Sequence, residues 1–171
     1  MNGLLGPGLL FFLILLIMSE KIRVEFNIHG EMSALDFIAS LWSSSDESSI
    51  NNAIGYDGSD TYEKNNHNFI SDDEFWISID ADDFVPQQFL EHLHEFLNDN
   101  HGKVTFTFGK YWNEDYNMIG VFYINEGGWE FEEQYTDWDM ESWEEENPDG
   151  FFYDDVVVRE LEEMEFQLGQ P

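Results

Sequence analysis

The stretch VTFTFGKYWNEDYNMIGVFYINEGGWEFEEQY, residues 104–135, decides the fold. Val104, Phe106 and Phe108 alternate with smaller or polar residues, Ile119 to Ile124 form a second apolar run, and Trp129 to Tyr135 a third. Successive strand side chains point to opposite faces, so a period of two marks a strand with one buried side. The separators, NEDYN at 113–117 and NEGG at 125–128, are built from residues that turn a chain. Three strands joined by short turns make an antiparallel meander.

Toward the N-terminus, Ile22, Val24, Phe26 and Ile28 alternate with Lys21, Arg23, Glu25 and Asn27 in a further half-buried strand, which Gly30 ends. Ser33-x-x-Asp36 resembles a capping box and opens a helix with Leu35, Ile38, Leu41 and Trp42 on one side. Residues 43–71 are rich in Ser, Asn, Asp and Gly and read as a loop insertion, with at most a short strand near Tyr62 or Phe69. Phe75, Ile77 and Ile79 signal a strand. DADDFVP at 80–86 then leads into a helix with Phe89, Leu90, Leu93, Phe96 and Leu97 on a wide apolar face. Pro86 suits that helix's first turn, and Asp80, Asp82 and Asp83 suit its positive end. Beyond the meander come an acidic segment, 137–149, and a closing helix with Val157, Leu161, Met164 and Leu168, although VVVRELE could also begin as a strand.

The expected fold is α+β: a mostly antiparallel sheet with two or three helices, in one acidic domain over residues 18–171. Over residues 21–125 the element order β-α-loop-β-α-β resembles the ferredoxin-like domains of many small phage and plasmid proteins, here extended by the meander. Residues 1–17 carry no ionisable side chain, and Leu9 to Ile17 are unbroken apolar. The run falls short of the roughly 20 residues of a spanning helix, and it lacks a basic flank and an A-x-A-like cleavage site. It reads as an apolar extension from an upstream start codon, with Met18 as the natural start. A weak membrane anchor and a secretory signal are the alternatives.

Composition bounds the function. The chain has 171 residues, with 37 Asp and Glu against 6 Lys and Arg, for a formal net charge of −31. Binding to DNA, RNA or an anionic membrane needs clustered cations, so nucleic acid is excluded as a direct ligand. There is no Cys, which removes disulfide scaffolds, thiolate zinc sites and thiol catalysis. With 16 Phe, 7 Tyr and 6 Trp the chain can nevertheless bury a core and fold. Asp80, Asp82 and Asp83 are the metal candidates, but DADD lacks the glycine and distal Glu of a calcium loop, so helix-start acids are the preferred reading. His92 and His94, two apart on a helix, point some 200° from each other. With His101 they read as solvated helix histidines. No nucleophile elbow, phosphate loop or dinucleotide fingerprint is present, and no Lys or Arg lies between Lys110 and Arg159 to serve a phosphoryl transition state. The reading is a non-catalytic protein without a cofactor.

The acids themselves carry the functional expectation. Between Tyr111 and Val158 stand 15 Asp or Glu and no Lys or Arg. Glu130 and Glu132 alternate with Trp129 and Phe131, about 6.6 Å apart along one face, a spacing similar to that of backbone phosphates. Trp138 and Trp143 sit among acids, where a solvated tail has little use for indoles, and read as interface anchors. The candidate partner-binding residues are Glu126, Glu130, Glu132, Glu133, Asp137, Trp138, Asp139, Glu141, Trp143, Glu144, Glu145 and Glu146. Duplex DNA carries one charge per about 1.7 Å, so the net charge equals that of about 53 Å of helix, on a protein about 40 Å across. In charge, size and lack of Cys, residues 18–171 resemble the acidic DNA-mimic inhibitors of phages and mobile elements. That resemblance implies stoichiometric occlusion of the basic site of a restriction enzyme, nuclease or other DNA-processing protein, in the cytoplasm. The alternatives are an immunity protein or antitoxin against a basic toxin, an inhibitor or adaptor of a host protease or polymerase, and a calcium-binding acidic module.

Overall fold

The alternation at residues 21–28 produces the central strand of the sheet. In a computed structural model that describes residues 21–82, 84–113 and 116–168, β1 (Lys21–Gly30) is followed by α1 (Met32–Ser44), α2 (Glu47–Ile54), β2 (Tyr62–Ser71) and β3 (Glu74–Asp82). Then come α3 (Gln87–Asn100), β4 (Val104–Asn113), β5 (Met118–Asn125), β6 (Gly128–Tyr135) and α4 (Met140–Glu146). A π turn (Tyr153–Val157) runs directly into α5 (Val158–Leu168). The expectations for residues 1–17 and for Asp83 lie outside the described residues.

The sheet has six strands in the order β2-β3-β1-β4-β5-β6, each pair antiparallel. β1 aligns Val24 with Ile79 and Phe26 with Ile77 on one side, and Phe26 with Gly109 on the other. In β2-β3-β1-β4, α1 and α2 connect β1 to β2 while α3 connects β3 to β4. These two split β-α-β units are the ferredoxin-like arrangement expected from the element order. It closes at Asn113, and the meander's last two strands widen the sheet beyond it.

The helix count is larger than expected: the described residues hold five α-helices. Residues 43–71, expected as a loop, contain the end of α1, all of α2 and an edge strand. The polar residues that suggested a loop are largely caps. Asp46 accepts a hydrogen bond from the Ser49 backbone N–H at 2.7 Å, and Gly55 ends α2 in the left-handed region at φ 71°. Ile50 and Ile54, four apart, bury its one apolar stripe. β2 is polar because, among the described residues, it has a partner on one side alone and a bulged register. Its Lys64 ammonium donates to the carbonyls of Trp42 and Ser45, placing a cation at the negative end of α1.

Two cap expectations are corrected. α1 starts after Glu31, not at Ser33, and Glu31 instead accepts from the Lys103 N–H at 3.0 Å. α3 is not capped by Asp80 or Asp82, which belong to β3. Its Phe89 N–H donates to Asp60, 29 residues upstream, at 3.0 Å. Asp60→Ala is expected to cost about 1 kcal/mol, read by urea denaturation, as loss of a helix-start acceptor does elsewhere. No measurable loss would show that the bond is not a cap.

Each face of the sheet carries a core. α1, α2 and α3 cover the β2-β3-β1-β4 part of one face, around Phe26, Phe75, Ile77, Leu35, Ile38, Trp42, Phe89 and Leu93. On the other face the π turn and α5 pack Phe152, Val156, Val157, Leu161 and Met164 against Phe108, Ile119 and Val121. VVVRELE is therefore helical. Two glycines of the meander lie opposite aromatics, Gly109 facing Phe122 and Gly120 facing Tyr111. A Cβ on Gly109 would sit 1.9 Å from the Phe122 ring, and one on Gly120 2.3 Å from Tyr111. Only glycine lets those rings fold across the neighbouring strand.

Candidate partner-binding surface

Positive charge is confined to a few places. On the face of β1 that points away from α1 and α3, Arg23 pairs with the directly opposed Asp80 at 3.4 Å and Glu25 with the directly opposed Lys110 at 3.9 Å. Lys21 reaches Glu63. Lys64 is occupied at the end of α1, and Arg159 lies 3.9 Å from Glu160 within α5. Such surface pairs add little stability, but they fix where the cations stand. β5, β6 and α4 contain no Lys or Arg, so the acids of β6 and α4 have no cation of their own elements to offset them.

Within that region the expected partner residues fall into two sets. Glu130 and Glu132 lie opposite Tyr123 and Val121, on the α5 side of β6. That face is not fully open as expected: α5 packs on β6 and leaves Glu132 half-buried, while Glu130 stays exposed. Glu133 falls on the other face, where its carboxylate accepts a hydrogen bond from the Tyr111 hydroxyl. Burial and that carboxylate push the Tyr111 phenol above its ordinary pKa. Glu126 is exposed in the β5–β6 turn.

The acidic segment 137–149 is held to the domain. Asp139 caps α4 by accepting from Ser142, and this bonding keeps its carboxyl below the usual range. Glu141, Glu144, Glu145, Glu146 and Asp137 are exposed. Trp138 and Trp143, expected as partner-facing anchors, are half-buried with their rings edge-on to Phe152, at 5.6 Å and 5.5 Å. Their aromatic surface serves first to dock α4, so the segment displays a ridge of acids on an apolar base.

An aromatic surface that the sequence reading left out lies on the opposite face of the meander. Phe122, buried, stacks on half-buried Trp129 at 4.8 Å, and Trp129 neighbours exposed Phe131 at 6.0 Å. Tyr111 lies 6.1 Å from Phe131 with ring planes 6° apart. With Phe84, Val85 and Met118 these rings line a cleft of about 210 Å³, and Glu133 joins its wall. Its sequence signal is the alternation of Trp129, Phe131, Glu133 and Tyr135 along β6, the face opposite Glu130 and Glu132.

The metal and histidine candidates have separate structural uses. Asp80 pairs with Arg23, Asp82 accepts from the Thr61 hydroxyl at 2.8 Å, and no group of three or more His, Asp or Glu among the described residues is placed to hold a metal. His92 bonds the Ile54 carbonyl at 2.7 Å and His101 stacks on Phe37. His94 is not solvated: it is buried, 3.0 Å from the Thr107 hydroxyl, and burial lowers its pKa. The unfolded chain therefore takes up that proton first as pH falls below about 6.5. The His94 contribution is complete above that pH and is lost between it and the depressed native value. The stability difference between the native protein and His94→Gln should shrink as pH falls from 7.5 to 5.5 in urea titrations; a difference independent of pH would contradict this.

No protein-family model matches the chain, and neither a curated protein nor a solved structure matches it. Among the described residues no helix is long and apolar enough to cross a membrane.

Proposed function

We propose that the protein is a non-catalytic inhibitor that imitates the charge of DNA and occludes the basic nucleic-acid-binding site of a host defence or DNA-processing protein. The observation that carries this reading is the separation of charge. Lys21, Arg23 and Lys110 are paired with acids on β1–β4, whereas β6 and α4 carry acids and no Lys or Arg. A net charge of −31 works against a compact fold through self-repulsion, so a cationic partner gives a reason to keep it.

The mechanism is occlusion by complementarity. Glu130 on β6 and Glu141, Glu144, Glu145 and Glu146 on α4 stand on rigid elements, and each carboxylate can accept both N–H groups of an arginine fork. Pre-placed acids meet the target's cations without first having to be ordered, which favours fast, salt-sensitive association. The protein acts in the compartment of its target, the cytoplasm.

Capture from a host lysate tests the proposal. DNA-binding proteins should be enriched on the immobilised protein, and added duplex DNA should release them. Enrichment that duplex DNA leaves untouched would sink it.

A further inference from the structure

Acids attract any basic protein, so the ridge of carboxylates alone does not explain selectivity. The cleft on the other face of the meander has a different character. Its walls are Tyr111, Trp129 and Phe131, with near-parallel ring planes, and the Glu133 carboxylate is held in place by the Tyr111 hydroxyl. Phe131 is 42% exposed and Phe84, in the loop before α3, 76%. Large apolar rings left in water beside a fixed carboxylate are a costly arrangement for a protein that has so few cations to spare for them.

The cleft's volume, about 210 Å³, corresponds to roughly seven waters, which is the scale of one side chain rather than of a helix. The chain's charge selects a cationic occupant. Of the two cations available, the guanidinium is planar, stacks on aromatic rings and pairs with a carboxylate through two N–H groups. The compact, strongly hydrated ammonium of lysine does none of these equally well.

We propose that this cleft is the docking site for an arginine side chain of the basic partner, which stacks against Trp129 and Phe131 and pairs with Glu133. The proposal rests on the inhibitory reading above and adds to it a point of selectivity away from the α4 ridge.

Nona-arginine and nona-lysine peptides, titrated into the full chain at 50 mM salt, test it. Nona-arginine should bind about fivefold more tightly, and it alone should shift the indole N–H resonance of Trp129, assigned with Trp129→Phe. Phe131→Ala and Glu133→Gln change exposed side chains, so their melting should stay close to that of the native protein. Each should weaken nona-arginine about fivefold and leave nona-lysine unchanged. Equal affinity for the two peptides, a silent Trp129 resonance, or equal losses for both peptides in the variants would overturn the arginine site. A Trp129 shift that follows protein concentration without peptide would assign the cleft to a second copy and overturn it too. Equal binding of both peptides leaves the inhibitory reading intact, whereas failure of both to bind would remove both proposals.

Discussion

Reversal of Glu130, Glu144 and Glu145 to Lys will slow association with the target by at least about tenfold at 50 mM salt, within the range that electrostatic steering supplies. All three side chains are exposed, so the fold should tolerate the change; Glu132 is left alone because α5 half-buries it. At 500 mM salt, where screening acts within a few ångströms, most of the difference should vanish. Dissociation should change less, because charges at the rim of an interface act mainly on the encounter. Stopped-flow or surface-capture kinetics would read both rates. An association rate that ignores the reversals would place the contact on another face.

Phe122→Ala should be the most damaging single truncation for the fold. The side chain is fully buried, covers Gly109 across the β4–β5 pair and stacks on Trp129. Removing it deletes a large apolar ring and leaves a hole that neither a glycine nor the neighbouring strand can fill. The expected cost is about 3–5 kcal/mol, a large part of the 5–15 kcal/mol typical of a domain. The reciprocal change, Gly109→Ala, should also destabilise, since its Cβ would meet the Phe122 ring at 1.9 Å. Urea denaturation measures both. A loss under 1 kcal/mol for Phe122→Ala would mean that the rings of the meander do not pack as described.

Strands with one apolar face were legible from alternation alone: β1, β3 and the meander all stand where Ile22, Phe75 and Ile119 and their alternating neighbours put them. α2 and β2 were not. Ser and Asn residues that cap or flank a short helix look like loop residues, and an edge strand made mostly of polar residues has no apolar period to detect. The long-range cap of α3 by Asp60 could not be read locally, because its two partners are 29 residues apart. The same limit hid His94, whose burial follows from Thr107 arriving on β4.

The candidate site was legible in its charge and not in its geometry. The absence of Lys and Arg between Lys110 and Arg159 is visible in the sequence. That Lys21, Arg23 and Lys110 share one sheet face depends on register, Arg23 opposite Asp80 and Glu25 opposite Lys110, which no local pattern encodes. Trp138 and Trp143 were expected at the partner because they stand among acids. Phe152, brought close by the chain's return through the π turn, turns them toward the domain instead.

The most direct test of the central claim uses one purified target and a labelled duplex that it binds. Titration of the protein should release the duplex completely at about one equivalent per site, and rising DNA concentration should raise the apparent dissociation constant for the protein in proportion. Sedimentation should find the target with the protein or with DNA, never with both. A stable ternary complex, or an affinity indifferent to DNA, would contradict mimicry.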